Sequence, residues 1–231
     1  MAPPSTAPGA ARAAVVDVVV AARDDAATLA DVLAGLPHRR IRTVVVVDNG
    51  SRDATSQLAR DAGVVVLRQP RGGHGAACLH AIAHLGQLPQ PPDVVVFVPG
   101  DGSIDPAAVL DVLAPIEDDG AELVIGVGER GRAADRVVNR LIGAVYRYRF
   151  AGVGRIRAIR YPALVALGMS DRGGGWDVEM QVRAIKIGLA IAEVEVDGRP
   201  APRGHGARAV ADGAAARGRS LLHILRHATM R

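Results

Sequence analysis

The chain has 231 residues with a formal net charge of +4, 49% hydrophobic residues, one cysteine and six aromatics. That length is enough for one full hydrophobic core, no apolar run approaches the roughly 20 residues of a membrane-spanning helix, and the lone Cys78 excludes an internal disulfide framework and a cysteine-based zinc site. Lys186 is the only lysine, so arginine carries nearly all the positive charge; its planar fork suits phosphates in nucleotides, lipid headgroups or anionic membrane surfaces, whereas so few aromatics argue against a nucleic-acid partner.

In chain order, residues 1–13 are Pro- and Ala-rich without the hydrophobic block of a secretory signal, which predicts a disordered tail on a cytoplasmic protein. Apolar runs predict strands at about Val15–Ala21, Val44–Asp48, Val64–Leu67, Val94–Val98 and Leu123–Gly126. Between them Leu29, Val32, Leu33 and Leu36 fall at helical spacing, as do Val109, Leu113 and Ile116, and Asp105-Pro106 reads as a cap followed by proline at the first helical position. Alternation of this kind predicts an α/β fold of three layers, Rossmann-like, with helices on both faces of a mostly parallel sheet. Further on, Val178, Val182, Ile185 and Leu189 make an apolar stripe that leaves Glu179 outside it, in register with Arg183 and Lys186. Residues 205–231 combine Leu221, Leu222, Ile224 and Leu225 with several arginines, which predicts a basic amphipathic helix suited either to an anionic membrane surface or to packing on its own domain. A single domain is therefore expected over residues 14–204.

Three loops carry the chemistry. Val44-Val45-Val46-Val47 runs into Asp48-Asn49-Gly50-Ser51-Arg52-Asp53-Ala54-Thr55, and ligands of parallel sheets sit at strand C-termini, where Asp48 falls. Gly50 permits the turn and Ser51 can cap the helix that carries Leu58 and Ala59; an ordinary strand-turn-helix corner asks for the same residues. Arg71-Gly72-Gly73-His74-Gly75-Ala76-Ala77 opens a helix, so its backbone N–H groups and Arg71 could meet a phosphate, although neither a dinucleotide fingerprint after the first strand nor a Gly-Lys-Ser/Thr loop is present. Val94–Val98 runs into Pro99-Gly100-Asp101-Gly102-Ser103-Ile104-Asp105-Pro106, which places a second carboxylate at a strand end. There Asp101 is either a ligand for a hard divalent cation bridging a diphosphate or a turn former.

In this order the pieces resemble the family 2 glycosyltransferases, within the A-type nucleotide-sugar fold, and most of all their polyprenyl-phosphate sugar transferase branch. The family's Pro-Ala-Tyr-Asn-Glu-like turn is matched by Ala21-Ala22-Arg23-Asp24-Asp25, its Asp-Asp-Gly-Ser-x-Asp-x-Thr by Asp48 to Thr55, and its Gly-Lys-Gly-x-Ala by Gly73 to Ala77. Its Asp-Ala-Asp-Gly-x-x-x-Asp-Pro is matched by Pro99 to Pro106, its Phe-Arg-Ala-Ile-Arg by Arg157-Ala158-Ile159-Arg160, and its Gly-Trp-x-x-Glu-Met helix by Gly175 to Val182. Four positions depart from it: Pro99 for an acid, His74 for lysine, Arg23 for an aromatic and Gly152 where an acid is common.

The resemblance implies an inverting hexosyltransferase that moves a sugar from a nucleoside diphosphate sugar to a polyprenyl phosphate or another small acceptor, with Mg2+ or Mn2+ as cofactor; with such a lipid acceptor the basic C-terminal segment could dock this cytoplasmic protein at the inner face of the membrane. It implies nucleotide binding by Ala21, Ala22, Asp24, Asp48, Gly50, Ser51, Gly73, Gly75 and Gly100, a cation held by Asp101 and Ser103, and catalytic roles for Asp101, Arg157 and Glu179. By residues alone, Glu179 reads first as a surface partner of Arg183, and Trp176 more commonly as a partly buried core residue than as a stacking platform for a sugar or base. Two other classes remain open: a nucleotide-sugar-binding or scaffold protein without turnover, favoured by Pro99, and a sugar-phosphate nucleotidyltransferase, which would want a Gly- and Arg/Lys-rich loop after the first strand.

Overall fold

The computed structural model describes residues 13–70, 72–128 and 133–199. The tail expected over 1–13, apart from Ala13, the helix expected over 205–231, and Arg71 lie outside the described residues. Seven strands form one sheet: β1 (Val16–Ala22), β2 (Thr43–Asp48), β3 (Val65–Arg68), β4 (Val94–Pro99), β5 (Leu123–Val127), β6 (Ile156–Arg160) and β7 (Ile191–Glu195). Their spatial order is β3-β2-β1-β4-β6-β5-β7, and only β6 runs antiparallel to its neighbours. The five expected strands are present to within a residue or so. The sheet gains β6 and β7, whose Ile-Arg-Ala-Ile-Arg and Ile-Ala-Glu-Val-Glu sequences interleave charge with apolar residues and so do not stand out as buried runs.

The valine runs follow from burial on two faces. Successive strand side chains point to opposite sides, so in β1 Val16, Val18, Val20 and Ala22 enter one core while Val19 enters the other. The first core is closed by α1 (Leu29–Ala34), through Leu29, Val32 and Leu33, and by the helix Val109–Asp118, through Val109, Val112, Leu113 and Ile116. The second is closed by the helix His74–Leu85, by Tyr161–Leu167 and by Trp176–Ile187. In chain order these helices are α3, α6 and α7, with α2 (Thr55–Asp61), α4 (Val109–Asp118) and α5 (Ala133–Tyr146) completing the set. A sheet covered on both sides cannot afford the polar alternation of a half-exposed one. Cys78 is a buried residue of α3, and its surroundings push the thiol pKa well up, as fits a packing role.

Candidate functional site

The chain passes from β1 outward through β2 to β3, then returns across β1 to β4 on its other side. Connections at such a reversal diverge and leave a crevice outside the carboxyl ends of β1 and β4. Asp24 follows β1, Asp48 ends β2 and Asp101 follows β4, so three carboxylates from distant stretches of sequence meet one edge of the sheet.

The loops after β1 and β2 are laced together. Asp24, at φ 56°, donates its backbone N–H to Ser51 Oγ at 3.0 Å and accepts Arg52 N–H on Oδ1 at 2.7 Å. Asp25 N–H donates to Thr55 Oγ1 at 2.8 Å, and Ala26 N–H to Asp53 Oδ2 at 3.0 Å. Ser51 therefore ties two loops and does not cap α2, whose preceding residue Ala54 makes no side-chain cap; Asp53 Oδ1 receives Thr55 N–H instead, at 3.0 Å. Asp48 is 1% exposed, with Oδ1 accepting Ser51 N–H at 2.8 Å and Oδ2 only 4.0 Å from the exposed Arg68. Beside it Asn49 Oδ1 is buried without a partner among the described residues. Gly50 takes φ +77°, the left-handed region that its turn requires.

Two of the backbone amides expected to face phosphate are bonded within the protein. Gly73 N–H donates to Arg172 O at 3.0 Å and Gly75 N–H to Gly173 O at 2.8 Å, so the start of α3 docks against the 170–174 loop through these two amides. Gly100 N–H reaches Ala21 O at 3.3 Å, and a Cβ at Gly100 would come within 3.0 Å of both Ala22 Cβ and Asp25 Oδ2. Its glycine serves close approach of β4 to the end of β1. Ala22 O accepts Asn49 N–H at 2.9 Å, so Ala21 and Ala22 line the crevice with their carbonyls occupied.

Two expected catalytic residues are built into the framework. Arg157 is 1% exposed and donates to the carbonyls of Asp177 (3.1 Å), Val153 (2.7 Å) and Gly154 (2.9 Å), and it pairs with Asp177 Oδ1 at 3.1 Å. Both terminal nitrogens are committed to the framework, and Nε is buried without a partner among the described residues. Glu179, expected outside the apolar stripe, is fully buried. Its carboxylate accepts Ser170 Oγ at 2.7 Å, Asp171 N–H at 2.8 Å and Arg183 Nε at 2.9 Å, which fixes the 170–174 loop and leaves no lone pair facing a substrate. Burial raises the pKa of Glu179, but hydrogen bonds from Ser170 and Asp171 and the Arg183 charge outweigh it and hold the carboxyl below its ordinary value. Trp176 is likewise a core residue, edge-on to Phe97 with ring centroids 6.0 Å apart.

Asp101 is where the expected charge remains accessible, its side chain 21% exposed. Oδ1 accepts Ser103 N–H at 3.0 Å and Oδ2 accepts Arg155 Nη2 at 2.8 Å. Arg155 arrives because β6 is antiparallel to β4: Phe97 pairs with Arg157, which carries the residue two positions earlier to the end of β4. Burial raises the Asp101 pKa, and the Arg155 charge with hydrogen bonding from Ser103 more than reverses this, so the group is an anion at neutral pH. A half-exposed pair of this kind stabilises by about 1 kcal/mol or less. The Ser103 hydroxyl lies close to this carboxylate, is buried, and has no partner in good alignment among the described residues. A hard cation bridging a diphosphate takes one or two protein carboxylates and fills its shell with other oxygens, so Asp101 and Ser103 fit one, although no group of three His, Cys, Asp or Glu side chains gathers among the described residues. His74 Nε2 lies 3.9 Å from Asp177 Oδ1; burial lowers its pKa, Asp177 opposing this and Arg157 and Arg155 reinforcing it. Asp105 caps the 3-10 turn Pro106–Ala108 as expected, accepting Ala107 N–H at 3.0 Å.

The family model described as Glycosyl transferase family 2 matches residues 17–168. An uncharacterized glycosyltransferase of Mycobacterium tuberculosis is 30% identical over 194 residues, covering 80% of this chain and 85% of its own. Glycosyltransferase AglJ of Haloferax volcanii is 28% identical over 192 residues, 78% of this chain and 62% of that protein. Among solved structures, glucosyl-3-phosphoglycerate synthase from Mycobacterium tuberculosis in complex with Mn2+, uridine diphosphate and glucosyl-3-phosphoglycerate superposes with a TM-score of 0.78 at 20% identity, over 99% of this chain and 88% of that one. The same enzyme with Mg2+ and uridine diphosphate gives a TM-score of 0.77 at 20% identity, over 94% and 80%. At these identities the superpositions establish the fold, an A-type glycosyltransferase sheet; the family model and the mycobacterial relative establish the family, and this chain belongs to glycosyl transferase family 2.

Proposed function

We propose that this glycosyltransferase moves a sugar from a nucleoside diphosphate sugar to a phosphate-bearing acceptor, with inversion, in the crevice outside β1, β2 and β4. The observation that carries this reading is the convergence of Asp48 and Asp101 on one sheet edge, either side of the chain reversal. Asp48, buried and held by Ser51, presents Oδ2 to the nucleoside, with the unpartnered Asn49 Oδ1 beside it. Asp101 and the Ser103 hydroxyl are the residues that would hold Mg2+ or Mn2+, which supplies positive charge against the departing diphosphate. The laced loops after β1 and β2 hold Asp48 in place, and placement of reactants is itself a large part of such catalysis. An acceptor phosphate is already ionised and needs no base to attack the anomeric carbon, which agrees with the absence of a free carboxylate on Glu179.

Support for the donor and acceptor classes comes from the synthase noted above, also solved with Mn2+, uridine-diphosphate-glucose and phosphoglyceric acid. The test is release of nucleoside diphosphate from a panel of nucleotide sugars, with and without Mn2+, using a small phosphate monoester and a polyprenyl phosphate in anionic vesicles as alternative acceptors. Turnover with the lipid acceptor alone would extend the reading to membrane docking through the basic 205–231 segment. Calorimetric binding of a donor with no turnover on either acceptor would instead make the protein a nucleotide-sugar binder, the reading that Pro99 favours.

A further inference from the structure

The two arginines that flank Ile156 differ in what they can do. Arg157 is buried and spends its guanidinium on three carbonyls and Asp177, whereas Arg155 is 46% exposed and makes one hydrogen bond among the described residues, to Asp101 Oδ2 at 2.8 Å. That oxygen belongs to the carboxylate a divalent cation would take. A guanidinium and a doubly charged ion cannot both lie against one carboxylate without strong repulsion, and the ion has the larger charge. A freed guanidinium at the mouth of the crevice is a planar fork of N–H donors, the geometry that grips phosphate oxygens in pairs.

Resting on the transferase reading above, we propose that Arg155 is a phosphate-binding residue of the crevice, paired with Asp101 in the structure and released to a phosphate group of the substrates when a divalent cation takes Asp101. The exchange couples the two bindings. Each ligand favours the arrangement in which Arg155 has left Asp101, so cation and phosphate must strengthen one another by the same factor. The surface position of Arg155 makes the swing cheap, because only the flexible end of its side chain moves, while β6 and its pairing with β4 stay fixed.

The experiment uses the full chain and its Arg155→Ala, Arg155→Lys and Asp101→Asn variants. Mn2+ affinity is read by electron paramagnetic resonance of the free ion, and anion affinity by calorimetry with glycerol 3-phosphate and with uridine diphosphate as probes. Removing the competitor in Arg155→Ala should tighten binding of Mn2+ alone by about fivefold or more, and should abolish most of the gain in probe affinity that Mn2+ gives the wild type. Arg155→Lys should keep part of that gain, and Asp101→Asn should bind the probe in a manner independent of Mn2+. Loss confined to glycerol 3-phosphate places the fork on the acceptor, and loss confined to uridine diphosphate places it on the donor; both support the exchange. Equal Mn2+ affinity in wild type and Arg155→Ala, or probe affinity indifferent to Arg155, overturns it. Nucleoside diphosphate release by the wild type separates the two readings: turnover with no Arg155 effect removes the arginine's role alone, and intact coupling without turnover removes the transferase reading alone.

Discussion

The carbonyl oxygen of Asp171 occupies the place where any side chain at position 75 would begin: an ideal Cβ built on Gly75 falls 2.0 Å from it. Two chain segments meet there, and Gly75 N–H seals the contact on Gly173 O at 2.8 Å. The glycine that resembles part of a phosphate loop is thus a joint between α3 and the loop that precedes α7.

Gly75→Ala is expected to destabilise the fold by about 3 kcal/mol, at the upper end for overpacking, because the obstacle is backbone on both sides. Urea unfolding measures it. A midpoint equal to the wild type would mean that the 170–174 loop yields without cost.

Glu179→Gln tests the same loop from its other anchor. The folded pKa of Glu179 is held below its ordinary value of 4.5, so the carboxylate's contribution is complete above that pH and is lost as pH falls through the lower folded value. The wild type should lose thermal stability on acidification below about pH 4.5. Replacing this charge with an amide leaves the Arg183 guanidinium without its counter-ion and should cost about 2–4 kcal/mol at neutral pH, with a shallower acid limb. Melting curves from pH 3 to 8, on the order of ten points, read both effects; parallel curves for the two proteins would remove Glu179 as the titrating anchor.

Arg157→Lys separates a structural from a chemical role. One ammonium cannot reach the carbonyls of Val153, Gly154 and Asp177 together, so the variant should lose about 2–3 kcal/mol of stability. Wild-type melting with abolished transfer would return Arg157 to the chemistry.

Asp48→Ala should weaken nucleotide binding by about tenfold while changing the rate at saturating donor far less, since a contact to the base is made equally in ground and transition states. Calorimetry with the preferred nucleoside diphosphate, beside steady-state rates, checks it. Unchanged binding would take Asp48 out of the site.

Asp101→Asn should lower transfer by about a hundredfold or more while costing at most about 1 kcal/mol of stability, because its pair with Arg155 is half exposed and its charge is what the site uses. Normal turnover with Mn2+ present would refute the cation assignment.

The valine runs ending in Asp48 and Gly100-Asp101 made the parallel sheet and two of its chemical corners legible, because burial on both faces leaves a local imprint in each strand and a turn residue must follow it. Ordered motifs carried the family for the same reason. Tertiary structure alone decided the rest. Periodicity places Glu179 on a surface and the family resemblance gives Arg157 a chemical role, yet each is buried, Glu179 bonded by Ser170 and Asp171 of the loop before its helix and Arg157 to the carbonyls of Val153, Gly154 and Asp177. Gly73 and Gly75 donate to a loop whose arrival no spacing around them announces. Arg155 reaches Asp101 only through the antiparallel pairing of β6 with β4. Hydrophobic period records which side of an element is buried; it does not record which remote segment does the burying, and that choice settles whether a polar group is spent on the fold or left for a ligand.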